Sequence, residues 1–533
     1  MQGKNEQAGN AEPSAADVAL LKSDTKTSPW GDRQSQVLLF CFFSILYAYF
    51  FQGGGWNQNS YFDTIRAIVE RGTMDITAYA GNTGDVATFN GRAYENKMPG
   101  LALAGAPVYF ILYHFERQLG ISANSFRTVN ANAHVLTFFT SGLPGVLLLL
   151  VLYRNFRRRE ATVYESLWLT GAFGIGSLLL PYSGVMMSHL LTACLLFTAW
   201  HLMSAPTLAR GTALAAGLLA GMAAITDLLA VPAAALFLAY LYAGRKPRAI
   251  LPFAAGAGLF AAALAAHNYH YFGNVLLTNQ AIQPDTFKTP GYLFGMFTWP
   301  QPIFLYWLTL HPYRGLFYGC PVLVLSLLSV RRPLRIALGT ALPLLVFSYY
   351  LIFNMCFNGW TGGWGVGSRY LIPSLAFLYS LSLDGFRRWP RVAHLLMVIS
   401  AVFMISATAV EVMVPSPNEG VPPPSSPITD SIEQLASGEV SVSAQSMLDY
   451  MPAHSPTQQW DSYNLGELLG LSGLFSLLPM AAATLVFGFF VHRAKPQLAA
   501  TPLESDRKGN RARSRQTDRP TRAGSSRSRR RRV

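Results

Sequence analysis

The sequence predicts an all-α polytopic membrane protein: about twelve transmembrane helices and a helical first external loop that dips toward the bilayer. Composition is the first observation behind this. Of 533 residues, 51% are hydrophobic and 13% charged, whereas soluble domains carry roughly a quarter charged residues. The second is that apolar runs of spanning length recur from Gln36 almost to the C-terminus. The third is the placing of arginine clusters between those runs, which sets sidedness.

In chain order, residues 1–35 are polar. They have no basic stretch leading into a short apolar run and cleavage site, so an uncleaved anchor is expected and not a removable signal peptide. This segment is expected to be disordered and cytoplasmic. The clusters "RNFRRRE" at Arg154, "GRKPR" at Gly244, "RRPLR" at Arg331 and "FRRWPR" at Phe386, together with the C-terminal tail, should all lie inside. Helix 1, about 36–52, then exits and leaves 53–128 outside. Two apolar segments follow before Arg154, at 99–116 and 129–153. Were both to cross, Arg154 to Arg159 would face outward, against the positive-inside rule. The first also opens with Pro-Gly and carries Pro107 and His114. It is therefore expected to lie along or dip into the outer leaflet without crossing.

The remaining spans are expected near 163–183, 185–203, 210–226, 228–243, 249–266, 315–330, 336–354, 370–385, 392–414 and 471–491. The pair within 210–243 is short for two crossings and could form a shallow hairpin. External loops are then 53–128, 267–314, 355–369 and 415–470, the last with the Pro/Ser-rich "PSPNEGVPPPSSP". The organisation that follows is a catalytic membrane region over 36–385, a C-terminal membrane region over 386–492, and a basic disordered cytoplasmic tail over 493–533.

The tail explains the net charge of +14. From Arg493 onward there are 14 Lys and Arg against 3 acids. Such a segment matches the positive-inside rule and anionic headgroups, and no stacking aromatics interleave the arginines as single-stranded nucleic-acid binding requires. No nucleic-acid partner is expected. Four cysteines make no disulfide framework: Cys41 and Cys194 sit in apolar runs, and a Cys320–Cys356 bridge is permitted by topology but unsupported.

The first external loop is the richest in chemistry. "NQNSYFDTIRAIVERG" reads as an amphipathic helix, with Phe62, Ile65, Ile68 and Val69 on one face and Asp63, Arg66 and Glu70 on the other. It is expected to rest on the membrane surface. Asp63 at a lipid boundary would be partly desolvated and so a better base; a helix-capping role is the plainer alternative. "GDVATFNGRAYENKMPG" brings Asp85, Glu95 and Lys97 to the same interface. Snorkelling is the plainer account of Lys97 and of Arg127. Other external or near-external polar groups are His189, Arg314, Trp360, Trp364 and Arg369.

An acid after helix 1, an amphipathic segment, and Tyr94-x-x-Lys97-x-Pro99 before a non-crossing apolar helix together resemble the GT-C membrane glycosyltransferases. The nearest likeness is to bacterial relatives of protein O-mannosyltransferases and lipid A aminoarabinose transferases. It covers the arrangement of about 36–385, with sequence detail at 56–130 and in "GSRYLIPSLAFL". Asn96 stands where these families often carry an acid, with Glu95 one position earlier, and Met98 where a proline or small residue is more usual. The resemblance implies a polyprenyl-phosphate-linked sugar as donor and no nucleotide. Asp63 would be the catalytic base, with Asp85 or Glu95 as auxiliary acid. Lys97, Arg127 and Arg369 would bind the donor phosphate, with His189, Arg314, Trp360 and Trp364 as further substrate contacts.

The function expected is sugar transfer to an unidentified lipid, glycan or protein acceptor on the extracytoplasmic side. The setting is a bacterial inner membrane, part of envelope synthesis, with both termini cytoplasmic. No cofactor and no metal is expected. The alternative from another class is a multi-pass transporter or lipid flippase, for which Asp227 in "MAAITDLLAVP" is the one intramembrane acid, with no evident cationic partner in the sequence.

Overall fold

A bundle of helices surrounds one continuous apolar core, with the helix-rich first loop packed on one end. The computed structural model describes residues 31–329, 338–416, 422–423, 425–443, 445–448 and 461–495. The expectations for residues 1–30, for "RRPLR", for much of the Pro/Ser-rich stretch and for the tail beyond Lys495 lie outside those residues.

The described residues open with α1 (Asp32–Tyr47), which starts four residues earlier than predicted. It stops at Tyr47 because Phe50–Phe51 leave the helix as β1 and pair antiparallel with Tyr463–Asn464, β4. Helix α2 (Trp56–Arg71) follows, then the hairpin β2 (Val86–Phe89) and β3 (Arg92–Glu95), turned by Asn90-Gly91 at positive φ. Helix α3 (Gly100–Gln118) packs Leu101, Ala102 and Tyr109 against Phe62, Ile65 and Leu136. Its other side leaves Phe110, Ile111 and Phe115 exposed, as a helix bedded in the bilayer interface would.

Five helices are long and apolar enough to cross a membrane among the described residues. They are α4 (Phe126–Arg158), α9 (Pro247–Phe272), α10 (Leu338–Cys356), α11 (Pro390–Val410) and Gly473–Arg493, whose last part is α12 (Leu478–Arg493). The chain is a multi-pass membrane protein. Between α4 and α9 lie α5 (Val163–Gly176), α6 (Ser188–Met203), α7 (Arg210–Thr226) and α8 (Ala230–Ala243), all of 14 to 17 residues. At 1.5 Å per residue, these rise about 21 to 26 Å, short of a full hydrocarbon core.

The expected spans at 163–183, 315–330 and 370–385 are broken. The first is interrupted by extended backbone at Ser177. The second falls into Leu316–Gly319, a 3-10 turn at Pro321–Leu323 and Val324–Leu328, because Pro321 supplies no amide hydrogen to continue a helix. The third splits into Ile372–Tyr379 and Leu383–Arg388. All four cysteines are free.

Two ends of the bundle differ in chemistry. At one, Arg157 pairs with Asp32, Arg387 with Glu165, and Lys246 donates to the carbonyls of Met203 and Ala205. Clusters that the sequence places on one side of the membrane thus meet each other. At the other end, segments of all four predicted external loops converge.

Candidate active site

The site is built on α2. Tripeptide Gly53–Gly55 lets a C-terminal strap, residues 445–448, pass over its start: a Cβ on Gly54 would lie 2.0 Å from the Ser446 carbonyl oxygen. Asn59 donates to the carbonyls of Asn82 and Ser446, at 2.8 and 3.0 Å. The polar side of α2 is therefore enclosed by protein, and Asp63 and Arg66 are buried along with Phe62 and Ile65. The expectation of a half-exposed helix resting on the membrane is corrected: the sequence shows the two faces, but not the strap and hairpin that cover the polar one.

Asp63 is 0% exposed. It caps nothing, since the N-cap of α2 is Gly55. Its Oδ1 accepts a long hydrogen bond, 3.3 Å, from Asn82, and its Oδ2 has no partner. Arg66, one turn on, is held by Glu70 at 2.8 Å and by Asn124. Burial pushes the Asp63 carboxyl well above the ordinary range, and the Asn82 amide and Arg66 charge offset this only in part. Asn82 also donates to the Met447 carbonyl at 2.9 Å, so the strap and the acid share one amide.

On the adjacent side of α2, Ser60 donates to the Asp85 carbonyl at 2.8 Å, which seats the hairpin. There Lys97 Nζ meets Asp85 Oδ2 at 3.0 Å. With 24% of its side chain exposed, Lys97 is anchored and does not snorkel. Glu95, at the end of β3, is 2% exposed and both carboxyl oxygens lack a hydrogen-bond partner; the nearby Thr64 hydroxyl is donated to the Ser60 carbonyl. Burial pushes Glu95 well above its ordinary range too, opposed by Thr64 and Lys97.

His189 opens α6, and its Nδ1 lies 4.0 Å from Asp227 Oδ2. The intramembrane acid therefore has an imidazole partner across the bundle, which the sequence did not reveal. The His189 ring stands edge-on to Tyr370 at 5.5 Å. Arg369 is buried beside it, donating Nη1 to the Met187 sulfur at 3.1 Å with Nε unpartnered. Glycine is required at 362 (φ +74°), where a Cβ would meet Arg369 Cγ at 2.9 Å. Arg314, 1% exposed, donates to Tyr313 Oη and the Gly363 carbonyl, again with Nε unpartnered. Neither buried guanidinium has a carboxylate within ion-pair distance among the described residues.

Lys97, Asp85, Glu95, His189, Arg369 and Arg314 thus form one linked set of buried and half-buried polar groups, whereas the charged neighbours of Asp63 are Arg66 and Glu70. Electrostatics tie them together: Lys97 and Arg369 both bear on His189, and Asp85 on Arg369. Arg127 is exposed in the first turn of α4 and forms no ion pair or hydrogen bond with them. Trp360 is buried in a stack with Phe304 and Trp307, centroids 5.1 and 4.9 Å apart, and Trp364 is 42% exposed. Sequence reasoning missed Asn82 and Tyr182, whose hydroxyl donates to the Val366 carbonyl and shapes the arginine loop. Neither stands in a charge pattern or periodicity that would have marked it. Among the described residues, no three His, Cys, Asp or Glu side chains are disposed to hold a metal ion.

No family model and no curated protein matches this chain. Solved structures do. ArnT from Cupriavidus metallidurans bound to undecaprenyl phosphate is similar at 13% identity and TM-score 0.43, over 74% of this chain and 64% of that one. The apo state of the same protein gives TM-score 0.42 at 13% identity, with the same coverage. The apo Archaeoglobus fulgidus oligosaccharyltransferase gives 0.40 at 12% identity, over 81% of this chain and 63% of that one. This chain therefore spans less than two thirds of the length of each.

Proposed function

We propose that this chain is a GT-C membrane glycosyltransferase that moves a sugar from a polyprenyl-phosphate donor to an acceptor hydroxyl. The observation that carries the proposal is the pair of buried guanidiniums, Arg314 and Arg369, neither with a carboxylate within ion-pair distance among the described residues. Burying an uncompensated charge costs several kcal/mol, and a phosphate group is an anion whose oxygens match the guanidinium fork. Lys97 adds a third cation near Arg369. The exposed Arg127 is left as a contact for a donor approaching from the lipid.

In the transfer, the acceptor oxygen attacks the anomeric carbon and the bond from that carbon to the phosphate oxygen breaks, its electron pair leaving on the phosphate. Lys97 and Arg369 stabilise that developing charge. The acceptor proton passes to a carboxylate. Asp63 holds this role by resemblance, and its burial makes it a stronger base than an ordinary aspartate. Glu95 shares the property and is the reserve candidate, with Asp85 committed to Lys97. The acceptor-facing side is proposed to be extracytoplasmic, in a bacterial inner membrane.

Purified variants in nanodiscs test this. Lys97→Ala and Arg369→Ala should each weaken binding of a polyprenyl-phosphate sugar and lower turnover by roughly 10²-fold or more. Unchanged donor binding in both would remove the phosphate assignment. In cells, loss of the protein should accumulate one polyprenyl-phosphate sugar. The His189–Asp227 contact favours a second reading, a proton-coupled transporter or flippase, since buried ionisable pairs mark such relays. Substrate movement across sealed vesicles without any glycosylated product would establish that reading in place of the first.

A further inference from the structure

We propose a second binding site, for a phosphate mono- or diester, at the basic end of the bundle. A cavity of about 380 Å³ opens between the start of α1 and the ends of α4 and α6, lined among others by Asp32, Tyr153, Arg154, Arg157, Arg158 and His201. It is open on one side, so a ligand held there stays partly exposed. His189 and His201 share α6, twelve residues apart, which places this cavity about 18 Å along the helix from the candidate active site.

The charges in the cavity are unequally met. Asp32 Oδ1 accepts from Arg157 Nε and from Tyr153 Oη, each at 2.7 Å, so Arg157 and Asp32 satisfy one another. Arg154 and Arg158 bond only to neutral oxygens. The first donates Nε to Gln36 Oε1 at 2.7 Å, and the second donates Nη1 to the His201 carbonyl at 2.7 Å. These bonds fix both guanidiniums in place without neutralising them, and no carboxylate lies within ion-pair distance of either among the described residues. His201 is 5% exposed and its Nδ1 has no hydrogen-bond partner.

Two positioned guanidiniums with unused N–H donors on one cavity wall form a receptor for tetrahedral oxyanions. Arg154 and Arg158 are exposed, as is Arg391 in the first turn of α11, but they differ from it in that each is held by a hydrogen bond, whereas Arg391 makes none among the described residues. The ligand chemistry is a phosphate group, supplied either by an anionic phospholipid headgroup or by a soluble phosphate.

Full-length protein purified in neutral detergent would be titrated with phosphatidylglycerol, phosphatidylcholine and inorganic phosphate, with binding read by native mass spectrometry. Arg154→Gln combined with Arg158→Gln should weaken binding by about 100-fold, on the order of tenfold per charged contact. Arg391→Gln should leave it unchanged. Preference for phosphatidylglycerol without response to inorganic phosphate identifies the headgroup; saturable binding of inorganic phosphate identifies a soluble ligand. If the double variant does not fold, Arg154→Gln and Arg158→Gln alone should each lose about tenfold. Parental binding in those variants, equal loss in Arg391→Gln, or no binding of any phosphate probe by the parent overturns the proposal.

Discussion

Asp63 shows what a buried acid contributes and what it costs. It has no solvent, one long hydrogen bond from Asn82, and a raised pKa caused chiefly by burial. A base must be ionised to work, so activity should rise with pH through a midpoint above the usual aspartate range, and fall below it. Stability runs the other way: the folded state holds the proton more tightly than the unfolded state, so this residue's contribution is full at low pH and is lost as pH climbs through the folded pKa. Asp63→Asn should therefore lower turnover by roughly 10²-fold or more while the melting temperature at neutral pH holds or rises. Kinetics and a thermal scan on the same preparation check both halves, and near-normal turnover would pass the role to Glu95. Lys97, Asp85, Glu95, His189, Arg314 and Arg369 were legible from charge type and predicted side. Asn82 was not, because a neutral amide carries no pattern until the strap that fixes it is seen.

At the scale of elements, punctuation decided what the sequence made legible. Helix α7 spans Arg210–Thr226, the predicted bounds, because a charged residue stands at each edge: Arg210 begins it and Asp227 follows it. The end of α1 was misplaced by five residues, since Phe50 and Phe51 are as apolar as the helix before them and only a distant partner, β4, makes them a strand. Helix α2 was read with its two faces right and its environment wrong, because covering a polar face is a long-range event. The crossing of that strap tolerates no side chain at Gly54, where the nearest neighbours are backbone atoms of Ser446 and Met447. Gly54→Ala should cost about 1 to 3 kcal/mol, as overpacking typically does, seen as a lowered melting temperature and reduced turnover. Gly258→Ala, on the open side of α9 where a Cβ meets nothing within 4 Å, should leave both unchanged.

For the whole molecule, sidedness follows from which loops touch. Asn279 donates to the Glu95 carbonyl at 2.9 Å, Arg314 to the Gly363 carbonyl, and Asn82 to that of Met447, so the four loops assigned to one face meet there. Cysteine labelling at positions 120 and 160 should accordingly report opposite faces of the membrane, with 120 on the side of the active site; labelling of both from one side would break the topology and the non-crossing α3 with it. The strap across α2 also sets a timetable. Residue 447 is translated 384 residues after residue 63, which at ordinary synthesis rates is about 20 to 80 s. Through that interval the acid lacks its cover and Asn82 lacks its second anchor. A nascent chain already inserted in the membrane would thus hold its chemistry in abeyance until its own last segments arrive.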